Sequence, residues 1–386
     1  MPLRPASASD LLIDGKQVAG SGGTFDIVNP ATEEIVGQAA DATAEDMSAA
    51  IAAARNAFDT TDWSRDHALR ARCLRQLRDA LLAHADEFRE ITVAEVGCPV
   101  FLTHGPQLEG PITDLGYFAD LAETYEWTRD LGEAKPMGLK NRRELRAEAA
   151  GVVGAITPWN FPHQINFAKI GPALAAGCTV VLKPAPDTPW CAALVGKVIA
   201  EETDFPPGVI NIVTSSDHAL GAQLATDPRV DIVSFTGSTA TGKKVMAAAS
   251  ESLKKVFLEL GGKSAFIVLD DADLASACSM AAFAVVTHAG QGCAITTRLL
   301  VPRSKLDEAI AITRDSLAGL AAGDPTDSGT ICGPVISAAQ RQRVESYIEL
   351  ARSEGGTIEI GGGRPVGRDK GLSLIHISEP TRLGMI

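Results

Sequence analysis

The sequence predicts an α/β protein built on a parallel β-sheet. Short apolar runs at 152–156, 179–182, 209–213, 232–235 and 256–260 read as buried strands. The segments between them are long enough for crossover helices, the spacing of repeated βαβ units. At 386 residues the chain is too long for one ordinary domain and suits two lobes, each with its own core.

Composition narrows the partners. Apolar residues at 45% and charged residues at 22% describe a globular protein. The 48 acidic against 35 basic side chains give a net charge of −13, which argues against nucleic acid or an anionic membrane as partner. Seven cysteines, odd in number and without C-x-x-C, fit reduced thiols in a cytoplasmic protein and imply no metal site. Residues 1–10 lack a hydrophobic signal core, and no apolar run approaches a membrane span.

The elements follow in order. Asp14-Gly15 between short runs at 11–18 predicts an edge hairpin. Thr43 followed by Asp46 predicts a helix start, and Ser64 is expected to open a second helix with Leu74, Leu77 and Leu81 on one face. A third helix is expected to run to Val96 and stop at Gly97. Residues 127–149 are charged and interrupted by Gly and Pro, which suits an exposed hairpin or arm that is either a solvated surface or an oligomer contact.

In parallel sheets ligands bind beyond the carboxyl ends of the strands, so those ends are where chemistry is expected. The first carries Thr157-Pro158-Trp159-Asn160, where Asn160 is either a turn residue or an amide donor to a developing oxyanion. The second carries Lys183, which suits ribose hydroxyls or phosphate, or simply faces solvent. After the fourth, residues 236–243 read T-G-S-T-A-T-G-K into a helix start. That is an anion site able to take a pyrophosphate, although the spacing is not G-x-G-x-x-G. After the fifth, Glu259 lies between leucines before Gly261-Gly262. Partial desolvation is expected to raise its pKa and suit a general base; pairing with a lysine is the other reading.

Residues 287–297, T-H-A-G-Q-G-C-A-I-T-T, place Cys293 among small residues. Gly290, Gly292 and Ala294 predict a small-residue pocket floor open to close approach. Alone, the thiol is either a buried small hydrophobe or a nucleophile.

Taken together, P-W-N-F-P at 158–162, L-K-P at 182–184, F-T-G-S-T at 235–239, L-E-L-G-G-K at 258–263 and G-Q-G-C at 290–293 resemble the aldehyde dehydrogenase superfamily, in its hydrolytic NAD(P)-dependent form. The order and separations match from the N-terminal hairpin to about Gly371. The resemblance implies that Cys293 is the nucleophile, that Asn160 and the Cys293 N–H form the oxyanion hole, and that Glu259 is the general base. A thiol of pKa about 8.5 is only a few per cent ionised at pH 7 and needs activation, the oxyanion needs donors, and the thioester needs an activated water. Relatives that hand the acyl group to coenzyme A typically lack the glutamate, so Glu259 favours a free acid over a coenzyme A acylating enzyme. The implied cofactor residues are Ile156, Thr157, Pro158, Trp159, Lys183, Gly237, Ser238 and Leu260. NAD-using relatives often carry a glutamate where Pro186 stands beside Asp187, so the cofactor is NAD or NADP, with NAD favoured. The helix after Pro162 is expected to face the substrate, with Gln164 adding a polar group to its wall.

The implied architecture is a Rossmann-like NAD(P)-binding domain (1–126 and 150–260), an oligomerisation arm (127–149) and an incomplete α/β catalytic domain (261–371), in a parent that is a homodimer or homotetramer. Residues 372–386, L-S-L-I-H-I-S-E-P-T-R-L-G-M-I, read as a non-native tail, and the family's E-x-F-G-P motif is missing. Marginal stability, poor or absent turnover, or a fragment that only binds the dinucleotide are the corresponding expectations.

Overall fold

A computed structural model describes residues 10–320, 322–364 and 371, so the tail at 372–386 lies outside the described residues. The chain opens with a hairpin of β1 (Leu11–Ile13) and β2 (Lys16–Val18), turned by Asp14 and Gly15 at φ 53° and 73°. Both values are left-handed, as a two-residue hairpin of matching twist requires. A second hairpin, β3 (Thr24–Asn29) and β4 (Glu34–Ala40), leads to α1 (Ala44–Thr60). Thr43 Oγ1 accepts from Asp46 N at 3.4 Å while Asp46 Oδ2 accepts from Thr43 N at 2.9 Å, a reciprocal cap.

The helices α2 (His67–Ala83), α3 (Ala85–Val96) and α4 (Glu109–Thr124) follow. The cap of α2 is Asp66, whose carboxylate accepts from Leu69 N at 2.8 Å, and not Ser64. Ser64 stays in the preceding turn, where its carbonyl accepts from Arg70 Nη1 at 3.0 Å. Leu74, Leu77 and Leu81 are fully buried, each stabilising the fold by about 2 kcal/mol. Gly97 ends α3 at φ 67° with its N–H on the Val93 carbonyl. Residues 127–149 form the expected exposed hairpin, β5 (Thr128–Ala134) against β6 (Asn141–Arg146).

Then come β7 (Val152–Ile156), α5 (Pro162–Ala175), β8 (Thr179–Lys183), α6 (Pro189–Glu202), β9 (Ile210–Ile212), α7 (Ala219–Thr226), β10 (Ile232–Gly237), α8 (Thr239–Ser250) and β11 (Lys255–Leu260). The seven-stranded sheet runs β11-β10-β7-β8-β9-β1-β2, parallel from β11 to β9, with the first hairpin at its far edge. Alternation sends Val153, Ala155, Val180 and Leu182 into the core under α2 to α6, and Val152, Val181, Val233 and Phe235 into the core under α1, α7 and α8.

One strand departs from expectation. β11 is not buried, because it is an edge strand: Lys255, Phe257 and Glu259 lie exposed on one face while Val256, Leu258 and Leu260 pack inward. A smaller unit follows, with β12 (Ser264–Ile267), α9 (Leu274–Val286), β13 (Thr296–Leu300), α10 (Leu306–Ala318) and α11 (Ala338–Ser353). Its strands pair in parallel across α9 and have separate small cores. Ile267, Leu269 and Met280 stay exposed there. Among the described residues, no helix is long and apolar enough to cross a membrane.

Candidate active site

The carboxyl ends of four strands lie side by side. Ile156 is registered against Lys183 and Phe235, Phe235 against Leu258, and Gly237 against Leu260. Because side chains alternate, this register sorts the predicted residues onto two faces. Ile156, Lys183, Gly237 and Leu260 share the face of α7 and α8. A Cβ on Gly221 of α7 would lie 3.7 Å from both Ile156 and Lys183, and one on Gly242 of α8 would lie 2.8 Å from Leu260. Thr157, Thr236 and Glu259 fall on the opposite face, toward α5.

The first face has unmet polar capacity. Lys183 is buried, and its Nζ makes two long contacts among the described residues, to Pro184 O and Ser215 O at 3.4 Å each. Burial holds its pKa down to about 8, with Asp217 and Asp41 acting in the other direction. On the opposite face, the buried Thr157 hydroxyl has no hydrogen-bond partner among the described residues. Such groups accept a ligand's hydroxyls without displacing a protein bond. Trp159 and Pro158 are half-buried in the same turn. The Ser238 hydroxyl is committed to capping α8, accepting from Thr241 N at 3.2 Å. Gly237 is also set by packing, since a Cβ there would meet the Phe235 ring at 2.5 Å.

The loop that carries Cys293 is built after α9. His288, Ala289 and Gly290 take φ values of 54°, 54° and 72°, a left-handed run that turns the chain back toward the β7 end. Cys293 is exposed, whereas the other six cysteines are buried. The pocket-floor expectation is therefore corrected: small neighbours at 290, 292 and 294 put no bulk over the sulfur. Gly292 answers to local packing, because a Cβ there would meet Ile295 Cγ2 at 2.8 Å.

Asn160 reaches this loop. Its Nδ2 donates to Gln291 O at 2.5 Å, two residues before Cys293. The Asn160 carbonyl accepts from Gln107 Nε2 at 2.8 Å and His288 Nε2 at 2.9 Å. Gln291 ties the loop to the segment before α11: Nε2 donates to His288 O at 3.2 Å and Pro334 O at 3.3 Å, and Oε1 accepts from Ile336 N at 2.9 Å. Thus the fold brings Asn160 and the cysteine loop into direct contact.

Glu259 has no hydrogen bond to either. It lies exposed on β11 opposite Thr236, so the expected desolvation by neighbouring leucines is absent: they point to the other face. A buried charge on that face, Lys169 of α5, donates from Nζ to Ser234 Oγ at 2.8 Å. Burial holds Lys169 down to about 8, partly offset by Glu259. Gln164, one helical turn earlier, is exposed. The apolar groove of Leu299, Val301, Leu306, Ile310 and Leu317 is lined by none of the predicted site residues.

Sequence reading missed Gln107, His288, Gln291 and Lys169. His288 and Gln291 stand within the conspicuous 287–297 stretch, and Lys169 is a lone charge in an apolar helix, so all three had a signal. Gln107 had none, because only the fold brings it to Asn160.

Comparison with known proteins identifies the family. A family model described as the aldehyde dehydrogenase family matches residues 17–381, running past Gly371 into the segment read as non-native. The chain is 39% identical over 377 residues to a 3-succinoylsemialdehyde-pyridine dehydrogenase of a Pseudomonas species, covering 96% of this chain and 76% of that one. It is 39% identical to betaine aldehyde dehydrogenase 1 of Oryza sativa subsp. japonica, covering 92% and 70%. Among solved structures, an aldehyde dehydrogenase of Mycobacterium tuberculosis complexed with NAD+ superposes with TM-score 0.90 at 40% identity, covering 95% and 75%. A cysteine-to-alanine variant of aldehyde dehydrogenase C of Pseudomonas syringae, complexed with NAD+ and octanal, superposes with TM-score 0.90 at 34% identity, covering 96% and 75%. With its motifs in register on this fold, the chain belongs to the aldehyde dehydrogenase family.

Proposed function

We propose that the chain oxidises an aldehyde to a carboxylic acid through a thioester on Cys293, with Asn160 as oxyanion donor and Glu259 as general base. The observation that carries this reading is the 2.5 Å bond from the Asn160 amide to Gln291 O, which sets that amide beside the loop of the exposed thiol.

The Cys293 thiolate attacks the aldehyde carbon, a C–S bond forms, and the carbonyl electron pair moves onto oxygen. Asn160 Nδ2 and the Cys293 N–H donate to that oxyanion, a contact worth about 3–4 kcal/mol where one donor has been removed from enzymes. A nicotinamide dinucleotide, NAD+ favoured over NADP+, supplies the hydride acceptor when bound. Lys183 and Thr157 would hold it with their unmet polar groups, while Ile156, Pro158, Trp159, Gly237, Ser238 and Leu260 line the same strand ends. The NAD+ complexes of the Mycobacterium and Pseudomonas relatives support this assignment. Glu259 then takes a proton from water as the water oxygen attacks the thioester. Asn160 steadies the second oxyanion, the C–S bond breaks, and the acid leaves with the thiolate restored.

Gln164, exposed on α5, gives the substrate wall a polar group and suits an aldehyde with a polar tail. We read 1–126 and 150–260 as the cofactor domain, since its two cores enclose one sheet, and 261–371 as catalytic-domain structure with its own small cores. Residues 127–149 are read as an oligomerisation arm, supported by exposed Leu131, Met137, Leu139 and Leu145 on a charged hairpin. The test is aldehyde-dependent reduction of NAD+, followed by absorbance, in the parent and in Cys293→Ala. Loss of all reduction in the variant is expected, and retained reduction would remove Cys293 from the mechanism.

A further inference from the structure

Two side-chain hydrogen bonds near the loop of Cys293 converge on one peptide carbonyl, that of Asn160. We propose that Gln107 and His288 are positioning residues that jointly aim the Asn160 amide at the carbonyl oxygen of the substrate. This rests on the reading of Asn160 as the oxyanion donor.

Two buried donors from separate parts of the chain fill that carbonyl. Gln107, from the segment before α4, donates Nε2 at 2.8 Å, and His288, from the loop after α9, donates Nε2 at 2.9 Å. Both residues are fully buried. Neither is placed to satisfy itself: among the described residues, Gln107 Oε1 and His288 Nδ1 are buried without partners. A buried amide and a buried imidazole that each leave an acceptor unmet are costly in a core, and what each makes instead is the bond to Asn160.

The backbone supports the same assignment. His288 sits at φ 54°, a left-handed value that side-chain-bearing residues rarely adopt, and its ring meets Phe161 edge-on at 5.3 Å between centroids. The ring is thereby turned inward under the 160–161 peptide. Donating from Nε2 makes it the Nε2–H tautomer, and burial keeps it neutral by lowering its pKa to about 4. Two donors on the carbonyl restrain the peptide plane of Asn160. Its amide is then fixed at the far end by Gln291 O. Because His288 and Gln291 belong to the loop of Cys293, the same contacts set the offset between amide and sulfur.

Two probes of Cys293 separate positioning from mere packing. Acylation by p-nitrophenyl acetate forms a C–S bond through a tetrahedral oxyanion and expels p-nitrophenolate, so it needs the aimed amide. Alkylation by iodoacetamide forms a C–S bond at a saturated carbon, expels iodide and passes through no oxyanion. Cys293 is the exposed thiol, so both report on it in the full chain.

Gln107→Met and His288→Phe should each slow acylation about 3- to 10-fold, the net effect of one hydrogen bond, and the double variant about 10- to 100-fold. Alkylation should stay within about twofold of the parent, an outcome that loss of packing does not produce. Asn160→Ala serves as the reference. If it acylates at the parental rate, the oxyanion assignment fails and the positioning role falls with it. If Asn160→Ala is slow while the double variant is unimpaired, or if acylation and alkylation fall together, the positioning role alone is wrong. Should His288→Phe not fold, His288→Asn suits the left-handed backbone but stops short of the Asn160 carbonyl, and the same ratio of rates decides.

Discussion

Replacing Glu259 by Gln changes one oxygen to an amide nitrogen at the same volume on an exposed edge strand. Nothing in the core is disturbed, so the expected stability change is under about 0.5 kcal/mol. The loss is confined to deacylation. A positioned general base contributes about 10²- to 10⁴-fold, and an exposed carboxylate without the desolvation of a buried one belongs toward the lower end. A fall in steady-state turnover of about 10²- to 10³-fold follows, or about 3–4 kcal/mol in the barrier to thioester hydrolysis. Thiol attack and hydride loss do not need this carboxylate. Rapid mixing with aldehyde and NAD+ should therefore show a burst of reduced cofactor, close to one per Cys293, and then a slow phase. Steady-state turnover within twofold of the parent, or disappearance of the burst, would refute the assignment.

Arg70→Met should destabilise the fold by about 3 kcal/mol. The fully buried guanidinium donates to the carbonyls of Ala175, Trp63 and Ser64 at 3.0–3.1 Å, each left without that donor in the variant. Its Cζ also lies 5.0 Å over the Trp127 ring at the root of the exposed hairpin, and a thermal melt or denaturant titration would measure the loss. Acid should destabilise the chain through two buried histidines. Burial lowers His288 to about 4 and His163 to about 3, against 6.5 for an unperturbed imidazole. The unfolded chain thus binds more protons below about 6.5, and stability falls as pH drops through that window toward 4 and 3. His163→Phe should flatten the acid limb of a stability-versus-pH curve, and an unchanged slope would contradict the burial argument.

Much of the candidate site was legible in the sequence because its residues stand at strand ends, where local patterns are strong. Asp14-Gly15, the Thr43 and Asp46 pair and Gly97 specify turns and caps within a few residues, and each formed as read. Ser64 was misplaced because a second capping residue, Asp66, stands two positions later and takes the cap, accepting from Leu69 N. Glu259 was assigned its strand correctly but a wrong environment. Leucines on either side in sequence lie across the sheet from it, and edge position is a property of strand order, which no local run encodes. Gln107 was invisible for a similar reason, since its partner Asn160 lies on another element. The exposure of Cys293 follows from the small residues that marked it: they identify the loop while providing nothing to cover the sulfur.

Cys293 as the atom that carries the acyl group is tested most directly by mass. The Glu259→Gln chain, mixed with aldehyde and NAD+ and quenched in acid, should show an acyl increment on the peptide holding Cys293. The same chain with Cys293→Ala should show neither the increment nor cofactor reduction. An increment on any other residue, or cofactor reduction that persists without the thiol, would contradict a thioester mechanism at Cys293.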